Sequence, residues 1–369
     1  MDRKTYALND TSALISPALI YYPDLIMVNT KKIIEMAGGA EKLWPHVKSH
    51  KSADMIRMQI DQGIKRFKCA TIAEAEVCAE TGATHIILAY PLIGPNISRF
   101  LRLASHYAKV TFYAIGDDLS QFTLLSGEAE KSGVKANVLV DADLGMHRTG
   151  VPIPKLEEFY TKAAALKGIS LKGLHCYDGH LNDADFKTRK AKVDEVDIQL
   201  LKIQDSLTKK GLDCGIMVMG GTPTFPCRTG KAGMYLSPGT CFLGDWSHHQ
   251  KFLDMNFPPA AAIFCRVVSQ PTENSFTVDL GYKGIAADPP GDRGVIAGFE
   301  QAKPLFQSEE HWVFSLPQGQ ALPAIGSDCY VIPTHICPTS ALYPQIQIAR
   351  DGKITKEWPV SARNRKINY

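Results

Sequence analysis

From about Leu43 the chain repeats one pattern: a short run rich in β-branched and aromatic residues, then a longer stretch of helical apolar spacing. Eight such runs stand near 43–48, 65–69, 84–90, 109–115, 137–142, 170–176, 214–219 and 233–237. Strands separated by helices cannot join as tight hairpins, so they pair in parallel through crossovers. The helices carry their own marks. Thr71-Ile72-Ala73-Glu74 has the form of a capping box, and 185–210 sets Val193, Val196, Leu200 and Ile203 on one side with charges on the other. Eight strands alternating with helices make a (β/α)8 TIM barrel. The last two units are the least regular, which leaves a seven- or nine-element count open.

Beyond about Pro258 the pattern changes. Strand-like runs at 261–269, 275–279, 311–316, 328–333 and 343–349 follow one another across Gly, Pro, Asn and Asp turns, with no long helix between them. This predicts a smaller, mainly antiparallel β domain at the C-terminal end. Ile15 to Tyr22 reads as one more strand for it, because the first barrel run starts only near Leu43. The expected domains are a barrel over 23–257 and a β domain made of 1–22 with 258–369. A length of 369 residues, more than one domain usually holds, agrees with that division.

Bulk composition narrows the partners. A net charge of +3, with no dense block of Lys and Arg, argues against nucleic acid. No apolar run approaches the roughly 20 residues that span a bilayer, so no membrane is expected. Nine cysteines, an odd number scattered from Cys69 to Cys337, do not form a disulfide framework. Met1 to Ser12 is polar and lacks the apolar core of a signal peptide. The expectation is a cytoplasmic protein with reduced thiols.

In a (β/α)8 barrel the reactive side chains sit at the C-terminal ends of the strands, and phosphate binds in the loops after the seventh and eighth. Candidate residues fall there. Lys48 closes the first run, in Trp44-Pro45-His46-Val47-Lys48-Ser49-His50. Extended backbone would put His46, Lys48 and His50 on one face, where a lysine loses solvation and becomes a nucleophile fit for Schiff-base chemistry. From these residues alone a surface lysine in a basic loop is the alternative. Arg148 follows the fifth run, and Tyr177 and His180 follow the sixth.

Gly220-Gly221-Thr222 comes after the seventh run and Pro238-Gly239-Thr240 after the eighth. Glycines admit an anion to backbone N–H groups, and threonine adds a hydroxyl donor. Each triplet alone is also an ordinary turn. Both at the favoured loops, opposite an activated lysine, point to pyridoxal 5′-phosphate (PLP). Late in the chain, His335-Ile336-Cys337 on a strand would aim imidazole and thiolate to one side. That pair suits zinc and leaves the rest of the shell to water and substrate; a core cysteine beside a hydrogen-bonded histidine is the alternative. Asp279 and Asp288 either line a cleft or simply end strands.

The motifs PHVKSHK, FKCATIAEAE, DADLGMHRTG, GLHCYDGH, GGTPT, SPGT, DLGYKG and His335-Ile336-Cys337-Pro338-Thr339 together resemble the fold-type III PLP enzymes. More narrowly, they are similar to the D-threonine aldolases and D-serine dehydratases, which share the alanine racemase barrel and add a metal site. The likeness covers nearly the whole chain. It implies that Lys48 carries the coenzyme covalently, that Arg148 supports its phenolic oxygen and that Tyr177 approaches its ring nitrogen. Gly221, Thr222, Gly239 and Thr240 would hold the phosphate, and His335 and Cys337 a divalent cation, zinc or manganese. It also implies a homodimer. Two positions depart from the family pattern. Trp44 stands where arginine usually precedes the Pro-His pair, and Cys337 where the aldolases favour aspartate and the dehydratases cysteine.

The activity so implied is lyase chemistry on D-amino acids with a 3-hydroxyl group. A cation on that hydroxyl lowers its pKa. Removal of its proton, with His180 as a candidate base, breaks the Cα–Cβ bond and yields glycine and an aldehyde. Transfer of the α-proton to Lys48 with loss of hydroxide yields instead a keto acid and ammonia. The first, of the D-threonine aldolase type, is the leading expectation. The second, of the D-serine or D-3-hydroxyaspartate dehydratase type, is the alternative. Amino-acid racemisation stands further off, because no tyrosine is marked as an opposing acid/base to Lys48. Coenzyme carriage does too, since carrier proteins resemble the barrel alone.

Overall fold

Every β-rich run after the first forms a parallel strand. In the computed structural model, which describes residues 1–288 and 290–369, the chain begins with β1 (Ala18–Tyr21), α1 (Pro23–Ala37) and α2 (Ala53–Asp61). Then β2 (Arg66–Cys69), β3 (His85–Leu88), β4 (Thr111–Gly116) and β5 (Ala136–Asp143) alternate with α3 (Ile72–Thr81), α4 (Pro95–His106) and α5 (Leu119–Lys131). A short β6 (Val151–Pro152) and α6 (Ile153–Ala163) lead to β7 (Ile169–Cys176), α7 (Phe186–Lys209), β8 (Ile216–Met219) and β9 (Tyr235–Leu236). The ladder β2-β3-β4-β5-β7-β8-β9 is parallel throughout, with β6 paired to β5.

The run expected as the first strand, 43–48, is not a regular one. Its residues make two isolated parallel bridges, Leu43 to Leu236 and His46 to Lys68, so this segment joins the last strand of the ladder to the first. Pro45 has no N–H to donate and its carbonyl accepts from Lys68 N at 2.8 Å. The ring is therefore closed by seven strands and one irregular segment. Trp44, Ile87, Tyr113, Ile115, Leu139 and Val218 pack together as one buried cluster. Trp44 is its largest member: its ring sits edge-on to Tyr113 at 5.6 Å and Tyr235 at 5.4 Å, and Nε1 donates to the Phe67 carbonyl at 2.7 Å. The indole of Trp44 thus fills the barrel interior.

Local signals behave as their chemistry requires. Thr71 Oγ1 accepts from Glu74 N at 3.1 Å, and Glu74 Oε2 returns to Ala70 N at 2.6 Å, one residue before the usual partner of a capping box. Asp185 caps α7 by accepting from Thr188 N at 2.8 Å. Val193 and Leu200 are buried along α7 as expected, but so are Arg189 and Asp197, two charged residues that apolar periodicity does not select.

The second sheet contains α8 (Trp246–Lys251) and α9 (Ile336–Leu342) among its connections. Its strands are β10 (Ala261–Thr272), β11 (Ser275–Val278), β12 (Gly294–Ile296), β13 (Lys303–Gln307), β14 (Trp312–Ser315), β15 (Asp328–Pro333), β16 (Gln345–Arg350) and β17 (Lys353–Pro359). β1 inserts between β10, antiparallel, and β16, parallel, so the early strand does join the late sheet. Tyr6, Ile20, Tyr22, Phe264 and Tyr330 are buried together at its centre.

Internal contacts divide the chain into Met1–Lys31, Ser49–Ser52 and Thr240–Arg363 as one unit, and Lys32–Lys48, Ala53–Gly239 and Asn364–Tyr369 as the other. Segment 240–257, placed with the barrel by its sequence, has its contacts in the β unit. Asn29 Nδ2 explains part of this, donating to the carbonyls of Phe242 at 3.2 Å and Pro258 at 2.9 Å. Among the described residues no helix is long and apolar enough to cross a membrane.

Candidate active site

Lys48 lies in a single 3-10 turn, Val47–Ser49, directly after the closing segment. The turn has a period near three, so the expected common face of His46, Lys48 and His50 does not form. His46 donates its backbone N–H to Pro238 O at 2.9 Å, which ties the Lys48 segment to the end of β9. In the β unit, buried His50 accepts from Ser52 N at 3.2 Å, and burial drives its pKa down to about 3.

Three cations converge on one aromatic ring. The Lys48 Nζ, Lys68 Nζ and Arg148 guanidinium lie 5.8, 5.7 and 5.0 Å from the centre of the Tyr177 ring. Lys48, Arg148 and Tyr177 are therefore brought together as expected; Lys68 is new. It comes from β2, where Phe67 and Cys69 are apolar and Arg66 and Lys68 alternate with them. Period-two alternation in a sheet covered by helices marks such cations as interior-facing, a signal present in KRFKC and overlooked. Lys68 is 2 % exposed. Burial first, then the neighbouring Lys48, lower its pKa to about 7, with Arg148 adding to the effect and Asp141 and Asp178 opposing it.

A chain of contacts runs from this amine. Lys68 Nζ is 3.4 Å from His175 Nε2, and His175 Nδ1 is 2.7 Å from Asp141 Oδ1. Burial and the Lys68 charge lower the His175 pKa, so the ring is neutral at pH 7, and the carboxylate makes Nδ1 the protonated nitrogen, leaving Nε2 to accept from Lys68.

The turn after β8 is held by buried charge. Arg228 pairs with Asp178 at 2.8 Å and with Asp197 at 2.7 Å, and all three side chains are essentially inaccessible. Asp178 accepts from Thr224 Oγ1 at 2.5 Å, and that hydroxyl accepts from Gly221 N at 3.2 Å. Gly220 has φ +74°, and a Cβ there would stand 2.7 Å from Thr224 Oγ1 and 2.8 Å from Arg228 Nη1. A Cβ on Gly221 would meet the Tyr177 ring at 2.9 Å. Gly239 N donates to Thr222 Oγ1 at 3.2 Å, which joins the two glycine-bearing turns. In the β unit, Thr240 Oγ1 lies 3.3 Å from Cys337 Sγ. Of the four residues expected at a phosphate, Gly221, Thr222 and Gly239 are thus linked, and Thr240 is engaged with the thiol.

These residues fit a phosphorylated, anionic coenzyme. Three basic side chains share one ring, while the neighbouring carboxylates are bound elsewhere, Asp141 to His175 and Asp178 to Arg228. Beside the ring, Gly221 leaves open the space a Cβ would take. His180 is half-buried, and its Nδ1 is a buried atom without a hydrogen-bond partner among the described residues; its Nε2 lies 3.2 Å from where a Cβ on Gly145 would stand.

The pair expected to bind metal sits on a helix end. His335 is the N-cap of α9 and Cys337 lies in its first turn, so the strand geometry expected for His-x-Cys gives way to a helical one. β15 ends at Pro333, two residues earlier. Asp288, which the sequence left undecided, accepts from His335 Nδ1 at 2.6 Å, the kind of orienting contact that ligand histidines use. Burial opposes charge on the His335 ring, but the Cys337 sulfur and Asp288 carboxylate raise its pKa to about 9. Burial raises the Cys337 pKa, and the contacts with His335, Ser49 and Thr240 outweigh it and lower the thiol. Ser49 Oγ is 3.2 Å from Sγ. An imidazole and a thiolate are a donor set for zinc. Among the described residues no group of three or more His, Cys, Asp or Glu is gathered for a metal, so a cation held by this pair would need water or substrate for the rest of its shell.

Residues 23–246 match the model for the alanine racemase N-terminal domain, and residues 260–349 the one described as "Putative serine dehydratase domain". A 3-hydroxy-D-aspartate aldolase of Paracoccus denitrificans (strain Pd 1222) is 28% identical over 96% of this chain and 94% of its own. The crystal structure of D-threonine aldolase from Filomicrobium marinum superimposes with a TM-score of 0.85, 26% identity and 95% coverage of both chains. A D-threo-3-hydroxyaspartate dehydratase of Delftia sp. (strain HT23) is 21% identical over 92% of this chain and 96% of its own. With a matching family model over more than half its length and relatives aligned end to end, the chain belongs to the alanine racemase-like, fold-type III family of PLP enzymes, in the group of the D-threonine aldolases and D-serine dehydratases, and is a PLP-dependent lyase.

Proposed function

We propose that the enzyme cleaves D-3-hydroxy amino acids of the D-threonine class between Cα and Cβ, releasing glycine and an aldehyde. The observation that carries this reading is the convergence of Lys48, Lys68 and Arg148 on the Tyr177 ring, with Gly221 beside it. When bound, PLP supplies an electron sink for charge developing at Cα. Lys48 supplies the amine that carries it, Arg148 a fixed positive charge for its phenolic oxygen, and Tyr177 a neighbour for its ring nitrogen. Gly221, Thr222 and Gly239, with Thr240, form the phosphate-holding set in this reading. His335 and Cys337 would hold a divalent cation, zinc or manganese, which would supply Lewis acidity toward the substrate hydroxyl. His180 is the candidate base for that proton.

Cys337 favours a second reading, β-elimination to a keto acid and ammonia, because the dehydratases resembled here use cysteine at this point. Incubation with D-threonine, D-serine and D-3-hydroxyaspartate separates the two. Acetaldehyde with glycine, or glyoxylate with glycine, supports the aldolase; pyruvate or oxaloacetate with ammonia supports the dehydratase. Chelation is expected to abolish either activity, and added zinc or manganese to restore it. Neither product class from any of the three substrates would refute both readings. Assembly as a homodimer belongs to the same proposal; a solution mass near 40.5 kDa rather than twice that value would contradict it.

A further inference from the structure

We infer that Lys68 is a second proton-transfer lysine of the active site, held in position by His175 and Asp141. The inference rests on the lyase reading but not on which lyase it is. Retro-aldol cleavage takes a proton from the 3-oxygen and delivers one to Cα; β-elimination takes one from Cα and delivers one to the departing oxygen. Each reaction moves one proton between the same two atoms, so each is served by two acid/base groups rather than one.

The barrel presents two amines to a single ring, Lys48 Nζ at 5.8 Å and Lys68 Nζ at 5.7 Å from the Tyr177 centre. They are held differently. Lys48 follows the segment that closes the barrel, in a short turn, whereas Lys68 projects from a regular strand paired on both sides, to β3 and to His46. Buried lysine is costly and is retained when it is paired or used. Among the described residues no carboxylate is bonded to Lys68; its partner is the neutral ring of His175, whose orientation Asp141 sets.

The charged groups facing the Lys68 amine are Lys48, Arg148, Asp141 and Asp178, and burial together with the two cations lowers its pKa to about 7. An amine there can both accept and return a proton near neutrality, which an ordinary lysine cannot. A cavity of about 30 Å³ bounded by Asp141, Arg148, His175 and Tyr177 leaves room for a water beside this chain of groups. In the aldol direction His180 takes the proton as the O–H bond breaks, the N–H of Lys68 supplies the proton taken up at Cα, and solvent then takes the proton from His180 and returns one to Lys68. No electrons are gained or lost by the protein.

The test compares Lys68→Met, Lys68→Arg and Asp141→Asn with the wild-type holoenzyme. Lys68→Met and Lys68→Arg are both expected to lose at least about 100-fold in kcat, with coenzyme absorbance retained and KM changed less than about threefold. Arginine keeps the charge but cannot give up a proton, so recovery in Lys68→Arg would reduce the role to electrostatics and overturn the inference. Asp141→Asn is expected to shift the pH profile of kcat rather than abolish activity, as a positioning residue should. A second readout needs no turnover. In full-length protein carrying 13C at lysine Cε, the resonance absent from Lys68→Met should titrate well below the ordinary lysine range. A midpoint near 10.4, the unperturbed value, or an unchanged kcat in Lys68→Met, overturns the proposal while leaving the lyase reading intact. A wild-type enzyme with no product from any D-3-hydroxy amino acid overturns both.

Discussion

Single residues here carry opposed demands of stability and chemistry. Lys68 is the sharpest case, with a folded pKa of about 7 against roughly 10.4 in an unfolded chain. Between those values the unfolded chain binds a proton that the folded one does not, so stability rises with pH across this window. The penalty is fully present below pH 7 and gone above about 10.4. Replacing Lys68 by Met should therefore stabilise the coenzyme-free protein at pH 7, by on the order of 2 kcal/mol, with the gain in Tm shrinking as pH approaches 10. Equal Tm gains at pH 7 and pH 10 would contradict the buried-amine account. Gly221 makes the complementary point: an alanine Cβ would press on the Tyr177 ring at 2.9 Å. Gly221→Ala is expected to weaken PLP binding about tenfold, roughly 1.4 kcal/mol, in an absorbance titration, with little change in thermal stability.

At the scale of elements, the turn after β8 owes its shape to a helix as much as to its own glycines. Asp197 on α7 and Asp178 after β7 both bind Arg228, and Asp178 reaches Gly221 through Thr224. Arg228→Met leaves Asp178 buried without its cation and Asp197 with Lys231 alone, a loss of about 3–5 kcal/mol, visible as a lower denaturation midpoint and weaker coenzyme retention. Apolar periodicity located α7 but could not reveal Asp197, since one buried aspartate on an amphipathic helix looks like a surface charge until its partner is placed. Capping is more transparent. Thr71→Ala should cost about 1 kcal/mol and leave the pH profile of the reaction unchanged.

For the whole molecule, the order of βα units announced a parallel barrel, and the loss of helices after Pro258 announced an antiparallel sheet. Both stand. The first barrel run is the exception, because Pro45 cannot donate to a ladder and the backbone turns at Val47. The early strand's place in the late sheet was legible from its distance to the barrel, whereas its parallel pairing with β16 was not. His335 and Cys337 were legible as a pair of residue types, but their helical setting and the contact from Asp288, 47 positions away, were not.

What the amino-acid order settled on its own is periodicity and residue chemistry: where strands and helices alternate, which lysine follows the closing segment, which glycines stand in late loops, and which family these motifs resemble. What waited for the folded chain is every property that depends on burial and on partners remote in sequence. Lys68 is an unremarked lysine in KRFKC until Tyr177, His175 and Asp141 surround it. The reason is physical: spacing sets the direction in which a side chain leaves the backbone, whereas its charge state depends on the solvent and neighbours that only tertiary packing supplies.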